Sequence, residues 1–118
     1  MAYSFEDYQS MLLAIRAKTS FIPQIGLILG SGLDDFLREV QIAADLPFQE
    51  IPGHPLTTNA AHKGHYLFGT YEGIRLVIMA GRLHYYEGYS AEEVALPIRL
   101  MKLMGVEKLI ITNACGGI

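Results

Sequence analysis

The sequence has little charge, a single cysteine and no long apolar run. Charged residues make up 18% of the 118 residues and the formal net charge is -3, a balance that argues against nucleic acid as a main partner. The lone Cys115 excludes an internal disulfide and is typical of a reducing compartment. No stretch approaches the roughly 18 apolar residues of a membrane helix, and the acidic start lacks a cationic, apolar leader. We therefore expect a cytoplasmic protein with no membrane partner.

The chain is nevertheless rich in apolar residues. They make up 51% of a sequence that is long enough for one modest domain and too short for two. An apolar chain without a membrane segment indicates surface that is buried against further protein. That protein is either a sister subunit or another part of the same polypeptide.

Three continuous apolar runs predict buried strands, at residues 24–29, 74–80 and 108–112. Residues 66–71 form a fourth apolar segment, and Glu72-Gly73 predicts a two-residue turn that joins it to the next strand. The segment 41–65 contains Pro47, Pro52 and Pro55 and three of the four histidines, and we expect it to be irregular.

Helices are predicted between these strands. Ser4-x-x-Asp7 and Ser90-x-x-Glu93 both resemble capping boxes, and Gly105 predicts the end of the second helix. The first helix is expected to bury one face, made of Phe5, Tyr8, Leu12 and Ile15. A further helix is expected from the spacing of Leu33, Phe36, Leu37 and Val40. The alternation predicts an α/β fold with a mixed, mostly parallel sheet flanked by helices.

Each of the three strong strands is followed by an unusual sequence. These sequences are Gly30-Ser31-Gly32, Gly81-Arg82-Leu83-His84 and Asn113-Ala114-Cys115-Gly116-Gly117. If the strands run parallel, their carboxyl ends meet at one edge of the sheet, where open α/β sheets bind ligands. A hydroxyl, glycine-exposed backbone N–H groups, an arginine and a histidine all favour an anion, and phosphate accepts several such bonds at once.

Other ligands fit less well. The segment after Gly30 lacks the third glycine of a dinucleotide fingerprint and the Gly-Lys-Ser/Thr of a nucleotide P-loop. His62-Lys63-Gly64-His65 superficially suggests a metal clip, but no cysteine pair or His-Glu motif supports one, and we predict no metal site. Cys115 is interpreted as a small buried residue. The residues alone leave open which of His54, His62 and His65 approaches an anion.

Together these motifs resemble the purine nucleoside phosphorylases of the trimeric, inosine- and guanosine-type class. The resemblance rests on segments 29–33, 81–89 and 112–117, and it extends through Glu50-Ile51-Pro52 and residues 63–69. It implies a nucleoside-phosphorylase-like fold in which residues 1–118 are the amino-terminal part of a single domain. It also implies a homotrimer that binds phosphate and a purine nucleoside and that needs no cofactor, because phosphate is a substrate.

The resemblance implies roles for individual residues. The phosphate-binding residues it implies are Ser31, His62, Arg82, His84 and the backbone of Ala114. Tyr86 occupies the position of a tyrosine that faces the ribose. Glu87 is expected to steady His84 or the phosphate site. The sequence departs from the family at Asp34, where a small residue is usual, at Cys115, where alanine is usual, and around His62, where the usual pattern is Val-x-Gly-His-Ala-Gly.

The activity that the resemblance implies is reversible phosphorolysis of a purine nucleoside to the free base and ribose 1-phosphate. The family's purine-recognising Glu and Asn belong to a later half that these 118 residues do not include. We therefore expect the chain to carry the phosphate half of the enzyme and to be inactive alone. Two alternatives are a methylthioadenosine phosphorylase, which shares the phosphate chemistry, and a non-catalytic phosphate-binding fragment.

Overall fold

The computed structural model describes residues 3–28, 34–56, 64–80 and 90–112 of the chain. Its helices are α1 (Phe5–Lys18), α2 (Asp34–Leu37) and α3 (Ala91–Met104), with a 3-10 helix at Phe48–Glu50. Its strands are β1 (Ile25–Ile28), β2 (Gln41–Pro47), β3 (His65–Tyr71), β4 (Ile74–Ala80) and β5 (Lys108–Ile111).

Both predicted capping boxes are present. The Ser4 hydroxyl accepts a hydrogen bond from the Asp7 amide at 3.1 Å, and the Asp7 carboxylate accepts one from the Ser4 amide at 2.8 Å. Ser90 and Glu93 form the same reciprocal pair at the start of α3. These side chains satisfy amides that have no partner inside the helix, which fixes where each helix begins. Gly105 ends α3 in the left-handed region, with φ of 115°.

Within the described residues the strands form one mixed sheet in the order β2-β3-β4-β1-β5. β1 lies between β4 and β5 and is parallel to both, whereas β3 is antiparallel to β2 and to β4. The β3–β4 turn is the predicted Glu72-Gly73, and both residues have positive φ, 49° and 82°. That backbone matches the twist of a two-residue hairpin. The predicted α/β class is confirmed.

The sheet separates two apolar cores. Successive residues of a strand point to opposite faces, so Val77 and Met79 of β4 pack toward α1 and α3 while Leu76 and Ile78 pack toward α2. Helices α1 and α3 supply their core with fully buried side chains at Met11, Ile15, Leu96, Leu100, Met101 and Met104. Strands β1 and β4 therefore lie between two apolar layers.

The prediction that residues 41–65 are irregular is wrong for residues 41–50. Residues 41–47 form β2, and residues 48–50 form the 3-10 helix. β2 is an outer strand with only Leu46 buried, and its register shifts between Ile42 and Ala44. A bulge breaks the alternation of apolar and polar residues that would otherwise have indicated a strand.

Parts of α1, α2 and β5 also differ from their prediction. Phe5 is 75% exposed, and the buried residues of α1 are Met11 and Ile15. Val40 is buried as predicted but lies beyond α2, which ends at Leu37. β5 was predicted from a continuous apolar run, yet its Ile110 and Ile111 are 46% and 48% exposed. The strand is the outer neighbour of β1, so within the described residues no further strand pairs with it.

Candidate functional site

The carboxyl ends of three parallel strands meet at one edge of the sheet. Ile28 of β1 pairs with Met79 of β4 on one side and with Ile111 of β5 on the other. The Thr112 amide donates to the Ile28 carbonyl at 2.9 Å, and the Thr112 hydroxyl donates to the same oxygen at 3.2 Å. These bonds hold the end of β5 level with the end of β1. The predicted convergence of the three strand ends is confirmed.

The amino-terminal end of β3 lies at the same edge. Because β3 is antiparallel to β4, its first residue, His65, pairs with Ala80, the last residue of β4. Four residues at this edge each border a segment outside the described residues. These residues are Ile28, Gly64, Ala80 and Thr112, and the segments are 29–33, 57–63, 81–89 and 113–118, respectively.

Every site residue implied by the resemblance belongs to one of those four segments. Ser31, His62, Arg82, His84, Tyr86, Glu87 and Ala114 lie outside the described residues, and their roles remain predictions. The structure gives the positions of the strand ends that border these segments.

His54, one of the three candidate histidines, is buried away from solvent. Its side chain is 6% exposed, and its ring stacks on Phe48 with the ring centroids 4.2 Å apart. Both ring nitrogens have partners: Nδ1 lies 2.8 Å from the Pro55 carbonyl oxygen, and Nε2 lies 2.7 Å from the Tyr66 hydroxyl. Neither nitrogen is available to an anion, so His54 is excluded as the phosphate-binding histidine.

The partners of His54 determine its tautomer. The Pro55 carbonyl can only accept, so Nδ1 carries the proton, and in the neutral ring Nε2 accepts a hydrogen bond from the Tyr66 hydroxyl. Burial lowers the pKa of His54 from 6.5 to about 4, while the hydrogen bond to Pro55 acts in the opposite direction. Burial also raises the pKa of Tyr66 well above 10.0. Both groups are therefore uncharged at neutral pH.

His65 has a different environment at the edge itself. Its Nδ1 lies 2.8 Å from Oδ1 of Asp45 on the neighbouring strand β2. The imidazole is about one-third exposed and the carboxylate about half exposed. A carboxylate on one ring nitrogen orients the ring and selects its tautomer. His65 thus remains a candidate at the edge alongside the predicted His62.

A cavity of about 300 Å³ lies between the starts of α1 and α3 and the turn at residues 52–53. Asp7 and Glu93 line it, and both carboxylates already accept amides of their own helices. An acidic lining of this kind disfavours phosphate. Among the described residues, no group of three or more His, Cys, Asp or Glu side chains could hold a metal ion. These observations leave the sheet edge as the candidate anion site.

The pairing of His54 with Tyr66 was missed from the sequence. The two residues are twelve positions apart, and no local motif links them. The only available signal was the apolar segment 66–71, which predicts a strand and so places Tyr66 and Phe68 on one face. The hydrogen bond depends on the packing of β3 against the 3-10 helix and the turn that follows it.

Comparison with known proteins identifies the family. The sequence model of the phosphorylase superfamily matches residues 24–118. The chain belongs to that superfamily. It is 48% identical over 104 residues to purine nucleoside phosphorylase 1 of Geobacillus stearothermophilus, a match that covers 88% of this chain and 38% of the relative.

Solved structures of the same kind superpose on the chain. The Schistosoma mansoni purine nucleoside phosphorylase in complex with inosine matches with a TM-score of 0.84 and 41% identity, covering 99% of this chain and 41% of that one. Isoform 2 from the same organism, in complex with cytosine and ribose-1-phosphate, matches with a TM-score of 0.89 and 43% identity, covering 99% and 41%. The chain thus spans about two-fifths of the length of these relatives. Within the described residues, no helix is long and apolar enough to cross a membrane.

Proposed function

We propose that this chain is the phosphate-binding part of a purine nucleoside phosphorylase, a pentosyltransferase of inosine- and guanosine-type nucleosides. The observation that carries the proposal is the meeting of the β4, β1 and β5 carboxyl ends at one edge. The relatives named above are purine nucleoside phosphorylases, and structures of two of them contain inosine or ribose-1-phosphate. These facts support the same activity for the whole protein.

The sequence beyond each strand end supplies the groups that an anion needs. Arg82 stands two positions after Ala80, the last residue of β4. Ala114 stands two positions after Thr112, and Ser31 stands three positions after Ile28. With about 3.8 Å between consecutive Cα atoms, one bound ligand is within reach of all three. An arginine fork, a hydroxyl and backbone amides together match the several oxygens of phosphate.

In the proposed reaction, a phosphate oxygen forms a bond to the anomeric carbon of the ribose while the bond from that carbon to the purine nitrogen breaks. The electron pair of the broken bond leaves with the base, which takes up a proton. Arg82 and His84 hold the phosphate in position and balance its charge through preorganised hydrogen bonds. Tyr86 faces the ribose, and Glu87 steadies His84 or the phosphate site. His62 is the histidine proposed at phosphate because the resemblance places the family's phosphate-site histidine there, while His54 is fully engaged with Pro55 and Tyr66.

The test of this function is phosphorolysis by the whole protein, followed as release of free base with inosine, guanosine, adenosine and methylthioadenosine. We expect turnover of inosine and guanosine that depends on inorganic phosphate. A preference for methylthioadenosine would replace the proposal by the methylthioadenosine phosphorylase alternative. Phosphate binding without turnover of any nucleoside would favour a non-catalytic phosphate-binding protein.

We further propose that the 118 residues alone turn over little or no inosine, since they span about two-fifths of the relatives' length. The phosphorolysis assay on the purified chain tests this directly, and robust turnover would refute it. In this proposal residues 1–118 belong to one nucleoside phosphorylase domain that completes its site with later residues.

The remaining expectations concern assembly and location. We propose a cytoplasmic homotrimer acting in purine salvage, with no cofactor and no nucleic acid partner. The exposed Ile110 and Ile111 of β5 support burial of this side of the sheet against further protein. Sedimentation of the whole protein tests the trimer, and a monomer would contradict it.

A further inference from the structure

We draw no further inference here: the strongest candidate, the cavity between the starts of α1 and α3 that Asp7 and Glu93 line, is a pair of acidic side chains at two helix amino termini, and nothing among the described residues shows which ligand it would hold.

Discussion

The buried imidazole of His54 should make the stability of the fold depend on pH. Burial lowers the pKa of His54 from 6.5 to about 4 in the folded chain. Between these two values the unfolded chain binds a proton that the folded chain does not, so the free energy of unfolding falls as the pH is lowered from 6.5 to 4. At about 1.4 kcal/mol for each pKa unit, this interval corresponds to about 3 kcal/mol.

The measurement is urea denaturation of the chain, followed by circular dichroism between pH 4 and pH 7. Replacing the pair by two phenylalanines, His54→Phe with Tyr66→Phe, removes the titrating group and keeps the aromatic packing. Both proteins contain the same carboxylates, so the contribution of these groups to the pH dependence of unfolding cancels in the comparison. We expect the unchanged chain to lose about 3 kcal/mol more than the double variant between pH 7 and pH 4.

Tyr66→Phe alone is the matched control. It removes the hydrogen bond but leaves the imidazole buried, and desolvation is the main cause of the lowered pKa. The single variant should therefore keep the steep pH dependence of the unchanged chain. Parallel stability curves for the unchanged chain and the double variant would refute the reasoning, because they would mean that His54 takes up its proton equally well when folded.

Two further predictions concern packing and helix capping. Gly64→Ala should destabilise the fold by about 1–3 kcal/mol, because its Cβ clashes with the Phe48 ring, and adding Phe48→Leu should recover part of the loss in the same denaturation assay. Ser90→Ala should cost about 1 kcal/mol, because the Glu93 amide loses its acceptor, whereas Ser90→Asp keeps an acceptor and should cost much less. Equal losses for the two Ser90 variants would contradict the capping role.

Much of the fold followed from local patterns in the sequence. The two capping boxes, the Glu72-Gly73 turn and the helix end at Gly105 are decided by neighbouring residues, and all were predicted correctly. The convergence of strand ends was predicted on the condition that the three strands run parallel, and the pairing of β1 with β4 and β5 meets that condition. Features that are local in sequence are the ones that sequence alone can reveal.

Features that depend on distant partners were not predictable in the same way. β2 was missed because an outer strand with a bulge buries too little to show an alternating pattern. The state of His54 depends on Tyr66 and Phe48, which are brought to it by the sheet and the 3-10 helix. From the residues alone, His54 was one of three equivalent loop histidines. Its burial, with both ring nitrogens engaged, excludes it as an anion-binding histidine.

Arg82→Ala in the whole protein tests most directly whether the edge formed by β4, β1 and β5 holds phosphate. Loss of a charge-assisted hydrogen bond should raise KM for phosphate roughly tenfold to a hundredfold and leave KM for inosine within about twofold. Arg82→Lys keeps the charge but not the fork of donors. Its KM for phosphate should therefore lie between those of the unchanged protein and Arg82→Ala. Equal changes in both KM values, or no change in either, would contradict the account.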